Sequence, residues 1–168
     1  MRIFFLTILF CFLAFIAGAQ ADSTLPAFKR YPTLPPLQLL LQDSRTKYTK
    51  ESLPKKKAVV VMLFNPDCEH CQHEAEQIAA NKELLKDVHI VMVTGSPIYR
   101  IQEFGQRYGL SSMPNVVIAK DPHFFLFSFY GIRYLPFMAI YDKKGNLVSS
   151  KDGAIKPQEI VALLNSID

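Results

Sequence analysis

The residues of this chain best suited to chemistry are Cys68-Glu69-His70-Cys71. Two thiols at this spacing fit one helical turn and close a disulfide with little backbone movement. The run Ala58-Val59-Val60-Val61-Met62-Leu63-Phe64 before them is apolar and rich in β-branched residues. It ends at Asn65-Pro66-Asp67, so it predicts a buried strand followed by a turn. From Glu69 onward, Glu74, Glu76 and Gln77 interleave with Ala75, Ile78, Ala79 and Ala80, a helical pattern. Cys68 is thereby expected at or just before a helix N-terminus. Unpaired backbone N–H groups and the helix dipole favour an anion there. The thiolate is that anion, and it is the reactive form of cysteine. The motif reads as an activated redox dithiol.

Other chemistries fit these residues less well. A structural disulfide across so short a loop would restrain the unfolded chain little. Zinc or copper has possible ligands in Cys68, His70, Cys71 and His73, and a metal carrier is the alternative function. Zinc-binding cysteine pairs normally come with a second pair, and the sequence has none. His89 lies in an apolar strand pattern and His123 in an aromatic stretch, and there is no methionine cluster for copper. No metal site is therefore expected. A thiol peroxidase would need Pro-x-x-x-Thr-x-x-Cys, whereas Val61-Met62-Leu63-Phe64-Asn65-Pro66-Asp67 precede Cys68.

The N-terminus bears on the compartment. Arg2 is followed by an apolar stretch from Ile3 to Ile16 and then by small residues, the pattern of a secretory signal peptide. Residues 1–21 are read as that signal, with cleavage after Ala19 or Ala21. The apolar stretch is shorter than the ~20 residues a spanning helix prefers, which disfavours an uncleaved anchor. Cys11 falls inside the signal, so Cys68 and Cys71 are the cysteines left after cleavage. An exported, periplasmic chain with only this pair is expected to act on the thiols and disulfides of other proteins.

The remaining residues suffice for one domain with a real core. The formal charge is +4, with the basic residues scattered apart from Lys55-Lys56-Lys57. That run has no aromatic interleaving, so nucleic acid is not an expected partner. A monomer is expected.

Residues 22–36, with Pro26, Pro32, Pro35 and Pro36, read as an extended lead-in, and residues 37–168 as the domain. Leu37–Leu41 is expected as a short strand and Thr49–Leu53 as a helical turn. Val88–Val93 and Asn115–Ala119 are expected as buried strands. Ile98, Ile101, Phe104 and Tyr108 mark an amphipathic helix closed by Gly109. The aromatic stretch 122–130 is expected as a short buried helix. Phe137–Tyr141 and Leu147–Ser149 flank a hairpin turn, and Pro157 starts a last helix. Alternation of strand and helix argues an α/β fold: a three-layer α/β/α sandwich with a mixed central sheet ending in an antiparallel hairpin.

The chain resembles the thioredoxin-fold superfamily, and more closely the exported TlpA-like thiol–disulfide oxidoreductases. The resemblance rests on Phe64-Asn65-Pro66-Asp67-Cys68-Glu69-His70-Cys71, on Tyr130-Gly131-Ile132-Arg133-Tyr134-Leu135-Pro136-Phe137, and on Asp142-Lys143-Lys144-Gly145-Asn146. It covers roughly residues 37–167. The spacing from Cys71 to Pro136 exceeds that of the smallest thioredoxins, in keeping with the strand and helix that TlpA-like proteins insert.

The resemblance implies that Cys68 is the attacking cysteine and Cys71 the resolving one. Pro136 would be the cis-proline facing the dithiol, with the Leu135 backbone pairing with substrate. Glu74 matches a glutamate of reductive TlpA-like proteins and would take the proton from Cys71. The resemblance also implies a redox-active disulfide in place of a cofactor, a reductive direction, and electrons from a membrane thiol carrier. The chain departs from the pattern at Asp67, where a tryptophan is common. Asp67 would oppose a Cys68 thiolate unless it caps the helix, Glu69 adds a second acid, and His70 would stabilise the thiolate and make the disulfide more oxidising.

Overall fold

The computed structural model describes residues 25–167. The signal assigned to residues 1–21 lies outside the described residues. Among the described residues no helix is long and apolar enough to cross a membrane.

In chain order the elements are α1 (Ala27–Arg30), β1 (Gln38–Leu40), β2 (Lys47–Thr49), β3 (Ala58–Leu63), α2 (Glu69–Ala80) and β4 (Val88–Thr94). They continue with α3 (Ile98–Arg107), β5 (Val116–Lys120), α4 (Phe125–Tyr130), β6 (Phe137–Tyr141), β7 (Leu147–Asp152) and α5 (Pro157–Asn165). The strands form one mixed sheet in the order β2-β1-β5-β4-β3-β6-β7. β3, β4 and β5 are parallel, and β6 and β7 continue the sheet antiparallel.

The continuous apolar runs of β3 and β4 have a simple cause. Side chains alternate across a strand, and both faces here are covered by helices. Val60, Met62, Ile90 and Met92 pack with Ala75 and Ile78 of α2, Ile101 and Phe104 of α3, and Ile160 and Leu164 of α5. Val59, Val61, Leu63, Val91 and Val93 face the other way, onto Phe28 of α1 and Leu126 and Tyr130 of α4. This is the expected three-layer α/β/α sandwich.

Three details differ from expectation. The lead-in is not merely extended: α1 forms within it, and Phe28 and Leu34 are buried in the second core. The Phe28 ring packs at 5.6 Å from Tyr130 and 5.8 Å from Phe137, so aromatic burial holds this proline-rich segment against the sheet. β2 was not anticipated from sequence. It pairs antiparallel with β1, and its pattern is short enough to be masked by the flanking polar residues. The aromatic stretch is only partly buried: Leu126 and Tyr130 point inward, while Phe124 and Phe125 are exposed.

Candidate active site

The dithiol lies beyond the carboxyl end of β3, the end of a parallel strand where such folds place their sites. The Asn65 side chain shapes the approach by accepting the Asp67 N–H at 2.9 Å, and the Cys68 N–H donates to the Asn65 carbonyl at 3.1 Å. Cys68 is the N-cap residue of α2, as expected, with an extended backbone. Its carbonyl accepts from the N–H groups of Cys71 and Gln72, both at 3.0 Å. The Gln72 side chain reaches back to the Pro66 carbonyl at 2.8 Å and ties the loop to the helix.

The two cysteines are in different environments, and both are free thiols. Cys68 is partly exposed, and its thiol donates to the Leu135 carbonyl at 3.7 Å. Cys71 is fully buried one turn into α2. Burial pushes the Cys71 thiol up to about 12, and the neighbouring Cys68 and Glu74 push the same way against a favourable Asn65 backbone hydrogen bond.

Glu74 is only 2% exposed, so it is not a solvated surface residue. Burial raises its carboxyl to about 7, against the pull of Lys151 on β7. Among the described residues its Oε1 has no hydrogen-bond partner. An uncompensated buried carboxylate is costly, which is the physical reason for the shift.

The segment just before β6, the antiparallel neighbour of β3, brings Leu135 to the dithiol, with Pro136 next in the chain. The Leu135–Pro136 peptide is cis. The Pro136 carbonyl accepts the Gly153 N–H at 2.7 Å, anchoring this segment to the end of β7. Glu69 and His70 are exposed on the first turn of α2. Asp67 does not cap the helix. It pairs with Arg100 on the first turn of α3. Arg100 and Lys151 were not found by reading the sequence. Each is one cation on an element distant along the chain, with no local pattern to mark it.

Fold and site together define a class. A thioredoxin-like domain family matches residues 46–168, and the chain belongs to that family. No curated protein matches it in sequence. Solved structures share its fold. A secreted Mycobacterium tuberculosis disulfide oxidoreductase homologous to E. coli DsbE matches with a TM-score of 0.62 and 17% identity, over 76% of this chain and 93% of that one. M. tuberculosis dsbF, in mixed oxidised and reduced forms, matches with a TM-score of 0.64 and 22% identity, over 81% of this chain and 100% of that one. Copper-bound ScoI of Arabidopsis thaliana matches with a TM-score of 0.63 and 15% identity, over 80% and 98%. At these identities the likeness is one of fold. The fold is the thioredoxin-like one, shared with a secreted disulfide oxidoreductase and with a copper-bound protein.

Proposed function

We infer that this protein is an exported, periplasmic thiol–disulfide oxidoreductase that reduces disulfides of other proteins through Cys68 and Cys71. The observation that carries this reading is the asymmetry of the pair: a partly exposed Cys68 at the start of α2 against a buried Cys71 beside a buried acid.

The Cys68 thiolate attacks one sulfur of a substrate disulfide. A new bond forms between Cys68 Sγ and that sulfur, the substrate S–S bond breaks, and the second substrate sulfur leaves as a thiolate. Cys71 then attacks Cys68 Sγ, closing the Cys68–Cys71 disulfide and releasing the first substrate sulfur. Two electrons pass from the dithiol to the substrate. With its thiol pushed up to about 12, Cys71 needs a nearby acceptor for its proton. Glu74, pushed up to about 7, is one turn away and close to half ionised at neutral pH. Pro136 and the Leu135 backbone would frame the substrate, and Asp67, Glu69 and His70 would tune the potential. A membrane thiol carrier would return the electrons. The protein acts as a monomer in this reading.

The purified protein tests it by two measurements, the potential of the Cys68–Cys71 couple and the reduction of insulin disulfides. A potential below about −200 mV with insulin reduction is expected, since thioredoxin stands near −270 mV. A potential near about −120 mV, that of a strong oxidant, would reverse the direction. Stoichiometric copper or zinc bound at purification, with no disulfide exchange, would favour the metal carrier.

A further inference from the structure

Beside the dithiol lies a cavity of about 260 Å³ lined only by uncharged residues, among them Phe64, Thr94, Gly95, Phe124, Phe127 and Leu135. Leu135 belongs to both features: it lines the cavity, and its carbonyl is 3.7 Å from Cys68 Sγ. Cavity and thiol are therefore adjoining parts of one surface.

The outer wall of the cavity is built at a cost in backbone conformation. Phe124 has φ +53, the left-handed region that phenylalanine rarely occupies. The residue is nonetheless 52% exposed. Three constraints hold it there. Asp121, itself buried, accepts the Leu126 N–H at 2.8 Å and the His123 N–H at 3.3 Å, which braces the loop on either side. The Phe127 ring packs against Phe124 at 5.6 Å between centroids. The ring also leans on Gly95, where a Cβ would come within 2.1 Å of Phe124 Cε1, so any larger residue would push it away. A left-handed phenylalanine, a glycine that admits its ring and a buried carboxylate bracing the loop together fix a half-exposed aromatic surface next to the Cys68 thiol.

We propose that this cavity takes an apolar or aromatic side chain flanking the reactive cysteine of the protein substrate, so that Phe124 and Phe127 select which disulfides are reduced. The proposal rests on the oxidoreductase reading above. In the mixed disulfide the substrate sulfur lies ~2.05 Å from Cys68 Sγ. Its cysteine is thus held against Leu135, and the neighbouring residue of the substrate falls over the cavity. The uncharged lining would leave a charged side chain unpaired and desolvated there, which disfavours it.

The full-length protein, reduced, is mixed with three disulfides: a peptide dimer whose cysteine has Phe on both sides, one with Ser on both sides, and hydroxyethyl disulfide, which has no side chain to reach the cavity. Each peptide rate is referred to that of hydroxyethyl disulfide. The Phe peptide is expected to react about tenfold faster than the Ser peptide, the effect of one buried aromatic contact. The preference should shrink in Phe124→Asn, which removes the ring while tolerating the left-handed backbone, and in Gly95→Ala, which keeps the ring but displaces it. Equal rates for the two peptides in the wild type, or a preference intact in both variants, overturns the proposal while leaving oxidoreductase activity in place. Failure to react with any of the three, hydroxyethyl disulfide included, overturns both readings.

Discussion

Glu74 is buried one helical turn beyond the buried thiol of Cys71, on the inward face of α2. The carboxyl is raised to about 7 by burial, and its charge in turn adds to the raising of Cys71. The two groups therefore contend over one negative charge, as the proposed proton transfer from Cys71 to Glu74 requires.

The first consequence is a pH-dependent stability. Glu74 titrates near 4.5 when unfolded and at about 7 in the fold, so the folded chain holds its proton more tightly. The contribution of this group is most favourable below about pH 4.5 and is lost as pH rises through 7. At about 1.36 kcal/mol per unit, the loss amounts to roughly 3 kcal/mol. Urea unfolding of the reduced protein at pH 5 and pH 8 (about two units below and one above the titration) should show it, and Glu74→Gln should flatten the difference. The same variant should slow resolution by Cys71 more than attack by Cys68 in stopped-flow traces.

The exposure of Cys68 against the burial of Cys71 predicts which thiol partners capture. Cys71→Ser should accumulate mixed disulfides on a non-reducing gel, and Cys68→Ser should not. The reverse pattern would exchange the two roles.

His70 is exposed on the first turn of α2, between the cysteines. A protonated imidazole there favours the thiolate, which stabilises the reduced form and raises the potential. His70→Pro should lower the potential by tens of millivolts, where about 30 mV equals ~1.4 kcal/mol. An unchanged or higher potential, measured in thiol redox buffers, would assign the local field to Asp67 and Glu69.

The pairing of Asp67 with Arg100 sets the acid beside Cys68 against a cation. Arg100→Ala should leave that acid uncompensated and slow alkylation of Cys68 by about twofold to fivefold, the range of a surface ion pair. Adding Asp67→Asn should restore the rate, and high salt should weaken the effect in the wild type. An unchanged rate in Arg100→Ala, or no recovery in the double variant, would show that the pair does not act on the thiol.

Phe28 packs against Tyr130 and Phe137 from a segment that the sequence marks only by its prolines. Phe28→Ala should cost about 3–5 kcal/mol in denaturant unfolding, the range for deleting a buried phenylalanine. A loss under about 1 kcal/mol would return residues 26–36 to the status of a loose leader.

The sequence by itself determined the parts of this protein that depend on near neighbours. The strand before the dithiol, the helix after it, the place of Cys68 at their junction and the terminal hairpin are written in local periodicity and turn residues, and the structure has them. What only the tertiary structure decided depends on residues distant along the chain. The Glu74 carboxyl feels Lys151 on β7, and Asp67 meets Arg100 on α3. The Phe124 ring finds its place against Gly95, and Leu135 is brought to Cys68 by the segment before β6. Periodicity tells which face of an element turns inward, but not which residue of another element will meet it. Charge pairing and desolvation are set by that meeting, so the chemistry of the site became legible only once the sheet order had placed these elements side by side.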